Sequence, residues 1–156
     1  TTGPATPRTP TPSLHDAFPI YGDPETGAKG EETKVGRELR KIMRMPDLLV
    51  GITCVRVPVL RAHSIALTVE LLRPVTPAAI REILAGAPGI RIVDDMEKNH
   101  FPMPNEASGQ GNILVGRIRQ DQSDPSGRTI SLFIAGDQLL KGAALNAVQI
   151  AQRLIL

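Results

Sequence analysis

The chain has 156 residues, 41% hydrophobic and 22% charged, with 18 Lys plus Arg against 16 Asp plus Glu, which is the make-up of an ordinary globular chain able to bury a core: one domain or part of a larger protein. A net charge of +2, no Trp, one Tyr and three Phe give no electrostatic or stacking footprint for nucleic acid. No stretch approaches the ~18 apolar residues of a membrane span, the N-terminus lacks the layout of a signal peptide, and lone Cys54 can form neither an internal disulfide nor a thiolate metal cluster, so a cytoplasmic protein without a membrane partner is expected.

Residues 1–20 hold a Thr-Pro tract without periodicity and are expected to be disordered. Residues 11–20 (TPSLHDAFPI) also resemble translated sequencing adaptor, which would make the tail foreign to the natural protein and His15 meaningless. The remaining chain, 21–156, reads as one domain. Over 31–43, Val35, Leu39, Ile42 and Met43 recur on one helical stripe that ends near Pro46. Gly36 within it costs about 1 kcal/mol relative to Ala. Residues 48–59 form a β-branched run, and over 64–72 Ile65, Leu67, Val69 and Leu71 alternate with Ala66, Thr68 and Glu70 as in a half-buried strand.

Thr76 followed by Pro77 opens a helix over 77–85 that Gly86 closes. Residues 90–94, 113–120 and 129–135 are further strand candidates, separated by a polar loop over 97–111 and a turn at Asp124-Pro125-Ser126-Gly127. Asp137 caps a last helix running to Leu154. The pattern predicts an α+β fold, a mixed and mostly antiparallel sheet of about five strands with helices packed on one face. Gly109, Gly111 and Gly116 have the wrong spacing and context for a dinucleotide fingerprint, so they read as a loop.

Among residues that could carry chemistry, Arg56 and His63 stand out. Alternation puts His63 in the row of Ile65, Leu67 and Val69, the face expected to be buried, and if the strands on either side of the Pro58 and Arg61-Ala62 bend paired, a planar guanidinium suited to a carboxylate would lie near an imidazole that titrates near neutral pH. On spacing alone, a structural His and a surface Arg are the plainer explanation. Glu31 and Lys34, at i and i+3, share a helix face and equally suit a solvated ion pair. Cys54, in an apolar run without a nearby His, reads as a buried, inert thiol. Gln138 beside the last cap could meet a ligand or water, and His100 in the polar loop reads as exposed.

In combination these segments resemble a known family. EETK at 31–34 with Glu38 and Arg40-Lys41-Ile42, TCVRVPV at 53–59 with His63-Ser64, APG at 87–89 with Val93-Asp94-Asp95, VGRIR at 115–119, and GDQ at 136–138 with KGAALNAVQIA at 141–151 resemble bacterial aspartate-semialdehyde dehydrogenase, in the family's order and over about 21–156. The resemblance implies part of a two-domain, NADP-dependent homo-oligomer, usually a dimer. It would be the catalytic and dimerisation domain of an enzyme that converts aspartyl phosphate to aspartate semialdehyde and phosphate, toward lysine, methionine and threonine. In that chemistry a Cys thiolate attacks the acyl phosphate and hydride reduces the thioester. The resemblance also implies roles: His63 the general acid/base, Arg56 the fork on the substrate carboxylate, Glu31 the partner of its amino group, Lys34 the phosphate-binding residue, and Gln138 a contact to NADP.

The family's Asn-Cys nucleophile and glycine-rich phosphate loop are absent, and Cys54 matches an ordinary strand Cys, so this chain alone is expected to be inactive. Lys29-Gly30 and Gly36-Arg37 depart from the family's pattern and should weaken the start of the first helix. Two alternatives remain. A ferredoxin-like amino-acid-binding module would explain the strand-helix-strand run of 64–95 but has no need of Arg56, His63 or the Gly-Ala-rich last helix. N-acetyl-glutamyl-phosphate reductase shares the chemistry, yet its acylated amine has no use for Glu31.

Overall fold

The first helix owes its polarity to its ends. α1 (Gly30–Met43) carries Glu31 and Glu32 in its first turn and Arg40 and Lys41 in its last, each opposing the adjacent pole of the helix dipole. The structure, a computed structural model, describes residues 30–155. The tail expected over 1–20 lies outside the described residues. The chain divides into two compact units between Val57 and Pro58.

In the first unit the segment after α1 turns back along the helix. Arg40 Nε donates to Leu48 O at 2.9 Å and Cys54 N donates to Glu32 Oε1 at 2.7 Å. Gly36 is buried there, where a Cβ would lie 3.5 Å from an Arg40 guanidinium nitrogen and 3.6 Å from Ile52 Cδ1. The packed face of α1 thus runs through Gly36 and Arg40, and the expected stripe is displaced: Ile42 and Met43 are exposed. A second correction concerns residues 48–59. They form no strand, so Cys54 sits in irregular, partly buried chain instead of a sheet. A β-branched run becomes a strand only where a neighbour completes its ladder, and none of the described strands pairs with it.

The second unit is built on a four-stranded sheet in the order β1-β4-β3-β2, one strand fewer than expected. β1 (His63–Glu70) and β3 (Ile113–Gln120) both pair antiparallel with β4 (Thr129–Gly136), and β2 (Ile90–Ile92) adds parallel to β3. The sheet is therefore mixed and mostly antiparallel, within the α+β class expected. α2 (Pro77–Ala85) starts where Thr76 Oγ1 accepts from Ala79 N at 3.2 Å, and Pro77 occupies the first turn, where its missing N–H costs nothing.

Ile80 and Leu84 of α2 pack on a cluster of Val115, Ile118 and Ile130, joined by Ile90, Leu132 and Ile134. Leu114 and Ala135 point to the opposite face and meet Ala62, Val93 and Ala107. Ala107 belongs to α3 (Pro104–Ala107), a single helical turn inside the stretch expected to be wholly loop. The expected last helix begins as a π-helical turn (Leu140–Ala144) and continues as α4 (Leu145–Ile155).

β1 is an edge strand, and its pattern differs from the half-buried one expected. Ile65 and Leu67 stay 50% and 38% exposed because α2 covers the β2 and β3 side of the sheet and stops short of them. The turn over 124–127 forms as expected, closed by Gly127 in the left-handed region at φ +70°.

Candidate functional site

The end of the sheet where β1 begins and β4 ends is organised by a carboxylate. Asp137, the residue after β4, is 1% exposed. Its Oδ1 accepts from Leu139 N at 2.9 Å and Leu140 N at 3.3 Å, capping the turn that follows. Its Oδ2 accepts from Gly109 N at 2.7 Å and pairs with Arg61 Nη2 at 2.7 Å. Burial, the largest influence, pushes the Asp137 pKa up, but the bonds from Gly109 N, Arg61 and Leu139 N together with the Arg61 charge outweigh it and hold it below the usual carboxylate value.

Gln138, the next residue, ties the same place down by its side chain: its Oε1 accepts from Ala62 N at 3.0 Å. Ala62 is buried and adopts φ +78°, a left-handed conformation uncommon for any residue but Gly. His63 follows directly as the first residue of the ladder, opposite Gly136, and it is exposed instead of lying on a buried face, because the row it shares with Ile65 and Leu67 is itself largely uncovered. An imidazole that solvent can reach therefore stands on a backbone held by the ladder, by Gln138 and by the packing of Ala62. The amide NH2 of Gln138 has no hydrogen-bond partner among the described residues.

The sequence-derived candidates fall into two groups. His63 and Gln138 are brought together in the second unit, through Ala62. Glu31 and Lys34 lie on α1 in the first unit, Lys34 Nζ 4.0 Å from Glu31 Oε1 with both side chains more than half exposed. Arg56 lies in the irregular chain of the first unit. The strand pairing that would have set Arg56 beside His63 is absent among the described residues: 48–59 form no strand, and the one partner of β1 in the sheet is β4. His100, expected to be simply exposed, places Nε2 2.9 Å from both carboxylate oxygens of Glu106.

Sequence reasoning missed Arg61 and saw only half of Asp137. An Asp before a helix signals a cap, and the cap is present, but the second oxygen's partners, Gly109 and Arg61, are distant in sequence and left no local sign. His63 lines neither of two grooves: one of about 510 Å³ along α1, lined by Thr33, Arg37, Arg40, Lys41, Arg44 and Pro46, and one of about 280 Å³ lined by residues 91–95 and His100. Among the described residues no group of His, Cys, Asp and Glu is arranged to hold a metal ion, and no helix is long and apolar enough to cross a membrane.

Comparison with known proteins adds a family and several relatives. A family model described as semialdehyde dehydrogenase, dimerisation domain, matches residues 1–141. The chain is 52% identical over 125 residues to the aspartate-semialdehyde dehydrogenase of Synechocystis sp., covering 80% of this chain and 36% of that protein. With the enzyme of the same name from Mycolicibacterium smegmatis it is 45% identical over 134 residues, 86% of this chain and 37% of that one. Its fold is similar to a crystal structure of aspartate semialdehyde dehydrogenase II from Vibrio cholerae complexed with ASA, with a TM-score of 0.78, 37% identity, and coverage of 86% of this chain and 39% of that one. The chain thus spans less than half the length of these relatives.

Proposed function

Because this chain belongs to the semialdehyde dehydrogenase dimerisation-domain family, we propose that it is the catalytic and dimerisation part of an NADP-dependent aspartate-semialdehyde dehydrogenase. The reaction is the reductive dephosphorylation of aspartyl phosphate to aspartate semialdehyde. The observation that carries this reading is the placement of His63, an exposed imidazole at the start of β1 whose turn is bonded to Gln138.

In this reading His63 holds and returns the proton at the nucleophilic thiol and at the tetrahedral intermediates. Arg56 forks the substrate carboxylate, a geometry that a planar guanidinium matches and an ammonium does not. Glu31 binds the substrate amino group and Lys34 the phosphate. Cys54 is not the nucleophile: it lies in irregular chain, and no imidazole bonds to its thiol among the described residues. The nucleophile belongs to another part of the enzyme, so this chain by itself is inactive.

A nicotinamide cofactor is compatible with the residues present at one point. Gln138 spends its carbonyl oxygen on Ala62 N, which leaves its amide NH2, unbonded among the described residues, as the donor. When bound, NADP supplies the hydride. The functional partner is a second copy of this chain, and exposed Ile65 and Leu67 on β1 are apolar surface suited to one.

A graft tests the reading. With residues 30–155 replacing the matching segment of the Synechocystis enzyme, NADP-dependent turnover of aspartate semialdehyde and phosphate is expected, with none on the N-acetylglutamyl analogue. His63→Ala in the graft should lower kcat by about 10²–10⁴-fold with little change in KM. Arg56→Lys should act mainly on KM. A folded graft without activity, or a His63→Ala graft of normal turnover, would overturn the assignment.

A further inference from the structure

We propose that Arg61 and Asp137 are positioning residues for His63. Their ion pair, with the hydrogen bond from Ala62 N to Gln138, clamps the left-handed turn that sets the direction in which the imidazole leaves β1. The proposal rests on the reading of His63 as the acid/base, and the clamp itself is visible without it.

The covalent connectivity makes the clamp tight. Arg61, Ala62 and His63 are consecutive, and so are Gly136, Asp137 and Gln138. His63 faces Gly136 in the β1 and β4 ladder. One residue back, Ala62 N bonds to Gln138 Oε1 at 3.0 Å, and one further back Arg61 Nη2 bonds to Asp137 Oδ2 at 2.7 Å. Each residue of the turn is thus held by the last residue of β4 or by one of the two that follow it. Ala62 has little freedom to relax, because its methyl group packs in the cluster of Val93, Ala107, Leu114 and Ala135. A left-handed φ on a non-Gly residue persists only where its surroundings over-determine it, and such residues gather at functional sites.

A role in stability alone explains the pair poorly. Asp137 already caps the following turn through Oδ1 and receives Gly109 N on Oδ2, so the carboxylate would be well bonded without Arg61. Arg61 gains no full set of bonds in return: its Nε is buried without a hydrogen-bond partner among the described residues. An orphaned donor opposes folding. A guanidinium kept there at that cost fixes the residue two places before His63.

The test is solution NMR of the 156-residue chain, labelled with ¹³C and ¹⁵N, reading two signals. Cα and Cβ shifts of Ala62 report its φ, and the three-bond couplings to His63 Cγ report whether the imidazole holds one χ1 rotamer. The unmodified chain should show a left-handed Ala62 and a single His63 rotamer. Arg61→Gln, Asp137→Ala and Gln138→Leu should each move Ala62 toward ordinary negative φ and average the His63 couplings, with the β3 and β4 amides still protected. Gln138→Glu keeps an acceptor for Ala62 N and should restore the single rotamer.

Should Asp137→Ala fail to fold, Arg61→Gln and Gln138→Leu carry the test, since both alter side chains at the rim. Unchanged His63 couplings in these two variants, with the sheet intact, would overturn the proposal. A clamp seen by NMR beside normal turnover in the His63→Ala graft would remove the acid–base reading and leave the geometry of the clamp standing.

Discussion

Asp94 does with one side chain what the β3 ladder cannot do at its irregular point. The pairing of β3 with β4 shifts register between Gly116 and Arg119, and Arg117 there adopts φ +52°. Amides released by such a bulge need other acceptors. Asp94 Oδ1 accepts from Arg117 N at 2.6 Å and Oδ2 from Ile118 N at 3.4 Å, while Arg81 of α2 pairs with Oδ2 at 2.7 Å and donates to Ile118 O at 2.6 Å. The carboxylate is 2% exposed, so Asp94→Ala would leave buried Ile118 N and the half-buried Arg81 guanidinium without their acceptor, while Arg117 N can turn to water. The expected loss is about 2–4 kcal/mol, below the full cost of breaking a buried pair because Arg81 is partly solvated. Urea denaturation measures it, and Asp94→Asn, which keeps an acceptor, should lose less. None of this was legible beforehand: Asp94 read as a strand end and Arg81 fell unremarked within the 77–85 helix, since their partners lie 13 to 37 residues away. Gly116 was likewise read as a loop glycine, whereas a Cβ there would overlap Val93 O, a backbone atom with nowhere to turn.

At the scale of elements, α1 shows where a local rule and the packing part company. Gly36 weakens the helix by its backbone freedom, and its burial suggests that packing demands it. The distances say otherwise, for a Cβ would make ordinary contacts of 3.5 and 3.6 Å with Arg40 and Ile52. Gly36→Ala should therefore stabilise α1 by up to about 1 kcal/mol, seen as slower amide exchange over residues 36–43. Faster exchange would mean that the 48–54 segment cannot accept a methyl group. Elements with strong local signals were legible to within a residue or two: α2 from its Thr-Pro start and Gly stop, β3 and β4 from their apolar runs. The 48–59 run and the exposed face of β1 were not, because both depend on which neighbour is present, and alternation reports only that a strand has two faces. For the same reason His63 and Gln138 were legible as residues, while their meeting through Ala62 was not.

For the molecule as a whole, charge matters less through its sum than through how the folded state holds its carboxylates. Asp124 lies well below the usual carboxylate range, chiefly because the Ser126 hydroxyl and then the Thr129 hydroxyl donate to it. Asp121 is lowered first by the Ser123 hydroxyl and then by Ser123 N, and Asp95 first by Lys98 N and then by the Lys98 ammonium. Asp137 is lowered against its burial by its bonds to Gly109, Arg61 and Leu139. All four shifts have one sign. Near and below the unfolded Asp pKa of about 3.9 the unfolded chain binds more protons than the folded one, so folding stability rises with pH there. The contribution is complete above that pH and is lost as pH falls through the lower folded values. The urea midpoint should accordingly show no slope from these groups between about pH 6 and 7 and should fall steeply from pH 4 toward pH 2. Asp121 and Asp124 sit in the connection between β3 and β4, and Asp137 holds the start of β1, so acid should loosen the hairpin and the His63 turn together. Asp124→Asn removes the most strongly shifted of these groups and should visibly flatten the acid limb while leaving the neutral region level. An acid limb of unchanged slope in that variant would mean that the Ser126 and Thr129 hydroxyls do not hold Asp124 ionised in the folded chain.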